Sequence, residues 1–101
     1  MDVIFEYHDV TASAELENFA KAELKKIGDK YQFAHRADVF FKVENTSSDE
    51  TGKIAGVRIS MPGPRLFAEH SSSDFYPSLK EAIGDVERQL RKKKEKMQSH
   101  N

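Results

Sequence analysis

Between Phe75 and Leu90 the apolar residues Phe75, Leu79, Ala82, Ile83, Val86 and Leu90 recur at steps of three and four, a stripe that only an α-helix gathers onto one side. Such a helix must lay that stripe on something. The same spacing occurs once before, at Leu16, Phe19, Ala20, Leu24, Ile27 and Tyr31. Elsewhere the period falls to two. Val3, Phe5 and Tyr7 alternate with Ile4 and Glu6, and Val39, Phe41 and Val43 with Asp38, Phe40, Lys42 and Glu44. Ala55, Val57, Ile59 and Met61 alternate in the same way with Gly56, Arg58 and Ser60. Two one-sided helices and several half-buried strands leave few architectures other than helices packed on one face of a sheet.

The punctuation between these runs sets the order. Thr11 offers a hydroxyl N-cap, which predicts a first helix from about Ala12 to Lys30 with Glu17, Lys21 and Lys25 outward and Lys26 and Lys30 beside the apolar stripe. The polar run from Asn45 to Gly52 predicts a hairpin loop, and Pro62-Gly63-Pro64 a turn into a last strand, Leu66 to His70. Asp74 is suited to cap the second helix, with Pro77 in its first turn where a missing N–H costs little. Gly84 costs about 1 kcal/mol against alanine, and close packing against a neighbour is the expected reason for it. The order is β-α-β-β-β-α. A helix between the first two strands implies a parallel pair with a right-handed crossover, and the rest is an antiparallel meander. The fold class predicted is α+β: a two-layer sandwich with a four-stranded mixed sheet and two helices on one face. Without its first strand it has the order of double-stranded-RNA-binding domains.

Charge is unevenly placed. From Arg88 to Asn101 six basic side chains face one acid, a local balance of +5, while residues 1 to 87 carry ten Lys/Arg against sixteen Asp/Glu. The formal net charge of −1 conceals this. Six cations exceed what the dipole of a helix end calls for, so a polyanionic partner is expected. The apolar stripe fades after Leu90, so the last turns are expected to project from the body. A membrane surface requires apolar anchors among the cations, and only Leu90 and Met97 are present. Reading DNA bases requires Asn, Gln and Arg on a recognition face, but before Arg88 that face carries Glu81, Asp85 and Glu87. Backbone contact with a structured RNA fits best.

At 101 residues one domain, spanning 1–101 with its basic helix end and tail at 88–101, is expected. With no cysteine there is no disulfide, zinc ribbon or thiol nucleophile, and MDVIFEYHDV lacks the features of a secretory leader. A soluble, cytoplasmic protein is expected. His8 with Asp9, His70 with Asp74, and Ser71, Ser72 and Ser73 are the only parts for catalysis, and none has a recognised spacing. No enzyme, catalytic residue, metal site, cofactor or small-molecule substrate is expected.

The segment from Asp74-Phe75-Tyr76 to Glu87-Arg88-Gln89-Leu90-Arg91-Lys92-Lys93-Lys94-Glu95-Lys96 resembles the signature of the ribosome hibernation-promoting factors. That family, also called ribosome-associated inhibitor or sigma-54 modulation proteins, shows a D-x-Y helix start and a [LV]-x-R-Q-L-x-K-x-K-x-K ending. Val10-Thr11, the lysine-bearing first helix and Asp38 to Glu44 (DVFFKVE) resemble its short form. Pro77, Gly84 and the Asp49-Glu50 loop depart from the pattern. The resemblance implies a domain, monomeric when free, that binds the small ribosomal subunit and its rRNA around the A and P sites and the mRNA channel. It implies inhibition of translation in idle ribosomes by exclusion of tRNA and mRNA. Carried over by position, the rRNA-binding residues are Lys21, Lys25, Lys26, Lys30, Arg88, Gln89, Arg91, Lys92, Lys93, Lys94 and Lys96. The chain ends at Asn101 without the further domain of long forms, so pairing of ribosomes is expected to need another factor. A basic tail docking on an acidic protein such as a transcription regulator, and general double-stranded-RNA binding, are the alternative readings.

Overall fold

The computed structural model describes residues 1–98 and runs β1 (Asp2–His8), α1 (Ala14–Lys30), β2 (Arg36–Val43), β3 (Lys53–Ser60), β4 (Leu66–Ser72) and α2 (Phe75–Gln98). Ser99, His100 and Asn101, the end of the expected basic tail, lie outside the described residues. β1 pairs parallel with β2, β2 to β4 form an antiparallel meander, and the sheet order is β1-β2-β3-β4. The predicted α+β order is the one observed.

Register follows from which residues must be buried. Val3, Ala37, Ile59 and Leu66 align across the four strands, as do Phe5, Val39, Val57 and Ala68. A one-residue slip would turn these rows to solvent. Leu24 and Ile27 of α1 and Leu79, Val86 and Leu90 of α2 close the core over them. The helices meet through the Phe19 and Tyr76 rings, 4.9 Å apart.

The start of α1 differs from the expectation. Its N-cap is Ser13, whose Oγ accepts the Leu16 N–H at 3.3 Å, and the helix begins at Ala14 rather than Ala12. Tyr7 decides this from β1. Its hydroxyl accepts the Ser13 N–H at 3.4 Å and donates to Glu17 at 2.7 Å. Thr11, two residues earlier, is left exposed in the connection. Burial, then the bond to Glu17, pushes the Tyr7 phenol above its ordinary value of 10.0. The stability this contributes is fully present below that value and is lost as pH rises through the raised one, so near-neutral pH leaves it intact.

Gly84 also differs. Among the described residues a Cβ placed there would meet only the Arg88 guanidinium, at 3.6 Å, and no close neighbour there explains the glycine. The close approach is at Gly56 of β3, where a Cβ would fall 2.1 Å from Cζ of Phe40. Only glycine lets that ring lie across the sheet.

Tyr31 caps α1, its N–H bonded to the Ile27 carbonyl at 2.8 Å, and its ring is 1% exposed. Among the described residues its hydroxyl has no hydrogen-bond partner. An orphaned buried hydroxyl costs about 1–3 kcal/mol. Tyr31→Phe is therefore expected to stabilise the fold by about 1 kcal/mol, read as a higher urea midpoint at unchanged slope. A lower midpoint would show that the hydroxyl is satisfied in solution.

Candidate nucleic-acid interface

Both helices return antiparallel to the strands that precede them, so α1 and α2 run parallel and end at the same pole of the sheet. Unpaired carbonyls and the negative dipole ends of both helices collect there, an environment that favours cations. Lys94 of α2 donates from Nζ to the Lys30 carbonyl at 3.4 Å. The Lys30 and Lys94 ammonium groups each stand 5.5 Å from the centroid of the Tyr31 ring. Two like charges held at one ring repel, and an anion placed between them relieves that repulsion. Asp29, Lys30, Gln32 and Lys94, with Phe33 and Met97, line an open cleft of about 430 Å³ at this point.

The expected cations divide by flank. At about 100° per residue, Lys26 and Lys30 share the side of α1 that carries Phe19, while Arg91 and Lys94 share the side of α2 that carries Tyr76. Since Phe19 and Tyr76 touch, these four cations border one groove between the helices. Lys26 also reaches Glu23 at 3.8 Å. Lys21 and Lys25 lie on the other flank of α1, beside the free edge of β1. Lys21 is 5.8 Å over the Phe5 ring, and Lys25 pairs with Asp29 at 3.2 Å. One continuous face does not hold all the lysines of α1.

The basic run of α2 does not wholly project. Arg88, Arg91, Lys92 and Lys96 are exposed, whereas Lys93 and Lys94 are half-buried, Lys94 by its contact with α1. Gln89 is turned to the sheet: Nε2 donates to the Phe67 carbonyl at 3.0 Å and to Asp85 at 3.3 Å. It fastens α2 to β4. The family resemblance placed it among the binding residues by position, and only the pairing partner in β4 reveals the structural task. Tyr31, which gathers the two ammonium groups, was legible as apolar stripe and as nothing more.

The catalytic parts weighed in the sequence are dispersed. His8 contacts Glu6 at 3.5 Å, not Asp9, and His70 contacts Asp85 at 3.3 Å, not Asp74. Ser71 accepts the Gly52 N–H at 2.8 Å, and Ser72 bonds Ser78 at 2.7 Å. Among the described residues no cluster suited to hold a metal ion occurs, and no helix is long and apolar enough to cross a membrane. The other pole holds the helix N-termini and an open cleft of about 660 Å³ lined by Val10, Leu16, Phe75, Lys53 and the acids Asp9 and Asp74. Those acids oppose the positive dipole ends there.

The chain is a two-layer α+β domain whose parallel helices bring their basic ends to one pole of the sheet. The family model described as sigma 54 modulation protein / S30EA ribosomal protein matches residues 3–98, and the chain belongs to that family. Among solved structures it is similar to a ribosomal subunit interface protein from Coxiella burnetii, with 21% identity and a TM-score of 0.79 over 93% of this chain and 98% of that one. It is also similar to the N-terminal domain of Protein Y from Thermus thermophilus, with 17% identity and a TM-score of 0.72 over 91% and 98%. No curated protein matches the sequence significantly.

Proposed function

We propose that this protein is a ribosome hibernation factor, which binds the small ribosomal subunit through its rRNA around the A and P sites and the mRNA channel. It inhibits translation there by excluding tRNA and mRNA, acting in the cytoplasm by occupancy and without a chemical step. The observation that carries this reading is the meeting of Lys30 and Lys94 at Tyr31, which joins the basic ends of both helices at one open cleft. Membership of the sigma 54 modulation / S30EA ribosomal protein family supports the ribosome as the source of the polyanion. Lys26, Lys30, Arg91 and Lys94 border the groove, Arg88, Lys92, Lys93 and Lys96 carry the positive charge around the other sides of the α2 end, and Lys21 and Lys25 serve a second contact on the β1 side. Gln89 holds the second helix in place for them.

Cosedimentation of the full chain with small subunits, challenged with excess tRNA and a short mRNA, tests this. The protein is expected to leave the subunit as tRNA and mRNA fill it, and its affinity to fall linearly on a log–log salt plot. Retention at saturating tRNA and mRNA would overturn the exclusion mechanism. A complex that survives complete RNA digestion would point instead to docking on an acidic protein.

A further inference from the structure

The face of the sheet turned away from the helices carries a row of rings and cations. Phe40 of β2 and Phe67 of β4 stack at 5.9 Å with 12° between their planes, because Gly56 between them has no side chain. Lys42 Nζ is 5.7 Å from the Phe40 centroid, and the Arg58 guanidinium is 5.9 Å from that of Phe67. Among the described residues no helix covers this face, and Phe67 is 43% exposed at its edge.

Charge on the face is resolved pair by pair. Arg36 binds Asp38 at 2.8 Å, Lys42 contacts Glu69 at 3.5 Å, and His8 contacts Glu6 at 3.5 Å. Asp2 remains on the distant β1 edge. Among the described residues, Arg58 and Arg65 have no carboxylate within 4.0 Å, so the excess charge beside Phe67 is positive. This corner also adjoins the basic helix. Gln89 bonds the Phe67 carbonyl at 3.0 Å, and Lys92 lies one turn further along the same flank of α2. The cationic surface thus passes around the β4 edge onto an aromatic platform.

We propose that Phe67, with Arg58 beside it, is a stacking site for an unpaired base of single-stranded RNA, whose phosphates are held by Arg65 and Lys92. This rests on the reading of the protein as a ribosomal RNA binder and adds base stacking to phosphate contact. Aromatic rings on an open sheet accept bases of any sequence through their π-faces, and a nearby guanidinium strengthens the contact. A protein partner would instead call for carboxylates to meet Arg58 and Arg65.

The chain contains no tryptophan, so Phe67→Trp supplies a single reporter in the full protein. Its emission is expected to be quenched on titration with oligoadenylate and with isolated small subunits. Phe67→Leu, which keeps apolar bulk without a π-face, is expected to weaken small-subunit binding about tenfold at an unchanged thermal midpoint. Phe67→Leu binding at wild-type strength, together with unquenched emission from Phe67→Trp on subunits, would overturn the proposal. A response to subunits with none to oligoadenylate would also overturn it, in favour of a protein at this face. Replacing the α2 cations separates the two readings. If that variant leaves the subunit while Phe67→Leu remains, phosphate binding by the helices stands and the stacking site falls.

Discussion

Exchanging Arg91, Lys92, Lys93 and Lys94 for glutamine is expected to release the protein from small ribosomal subunits at physiological salt. Each phosphate contact contributes about 0.7–0.9 to the log–log salt slope, so four lost contacts flatten it by about 3. That term vanishes near 1 M salt. Extrapolated to about 0.15 M, a slope difference of about 3 lowers affinity by a factor of roughly 300. Glutamine keeps helix propensity and most of the side-chain length, and it removes the repulsion between Lys30 and Lys94 at the Tyr31 ring. The dipole term acts within the last turn, where the basic residue is Lys96, which this variant keeps. Circular dichroism of the variant should therefore match that of the parent. Cosedimentation unchanged across the salt series would sink the phosphate-neutralisation account.

Phe41→Ala is expected to cost about 3–5 kcal/mol, a large share of the 5–15 kcal/mol that holds a domain of this size. Phe41 is 0% exposed and links three elements. Its ring stacks on Tyr7 of β1 at 5.2 Å and meets Phe75 of α2 edge-on at 5.7 Å. Removing it opens a cavity bounded by two further rings and by β-sheet backbone, which limits collapse. Guanidinium unfolding gives the measurement. A loss below about 1 kcal/mol would show that Tyr7 and Phe75 close the space. Because Phe41 lies toward the acidic pole, the folded fraction of this variant should still bind subunits at wild-type strength.

The elements were legible because each carries one strong period. The α2 stripe and the alternation in β2 and β3 leave little freedom, and both turns bear Gly or Pro. What escaped is tertiary in origin. Ser13 rather than Thr11 caps α1 because Tyr7 reaches it from the neighbouring strand. Gly56, which reads as an ordinary outward position in the alternation, is the glycine that a ring lies against, while Gly84 has no such neighbour. For the cations, composition located the basic helix end, and the helical period set Lys21 and Lys25 apart from Lys26 and Lys30 without saying which pair meets α2. Gln89 shows the same limit, since its partner lies 22 positions away in sequence.

The parallel course of the two helices has a consequence for encounter. The basic helix ends stand at one end of a body about 50 Å long, and Asp9, Glu15, Glu44, Asp49, Glu50 and Asp74 belong to the connections and helix starts at the other. A molecule so polarised experiences torque in the field of a polyanion. It is turned before it arrives, basic end leading, and fewer collisions are wasted on wrong orientations. Association should therefore be fast and slow steeply with added salt. Neutralising acids at the far pole should lower the orientational bias without touching a single contact in the bound state.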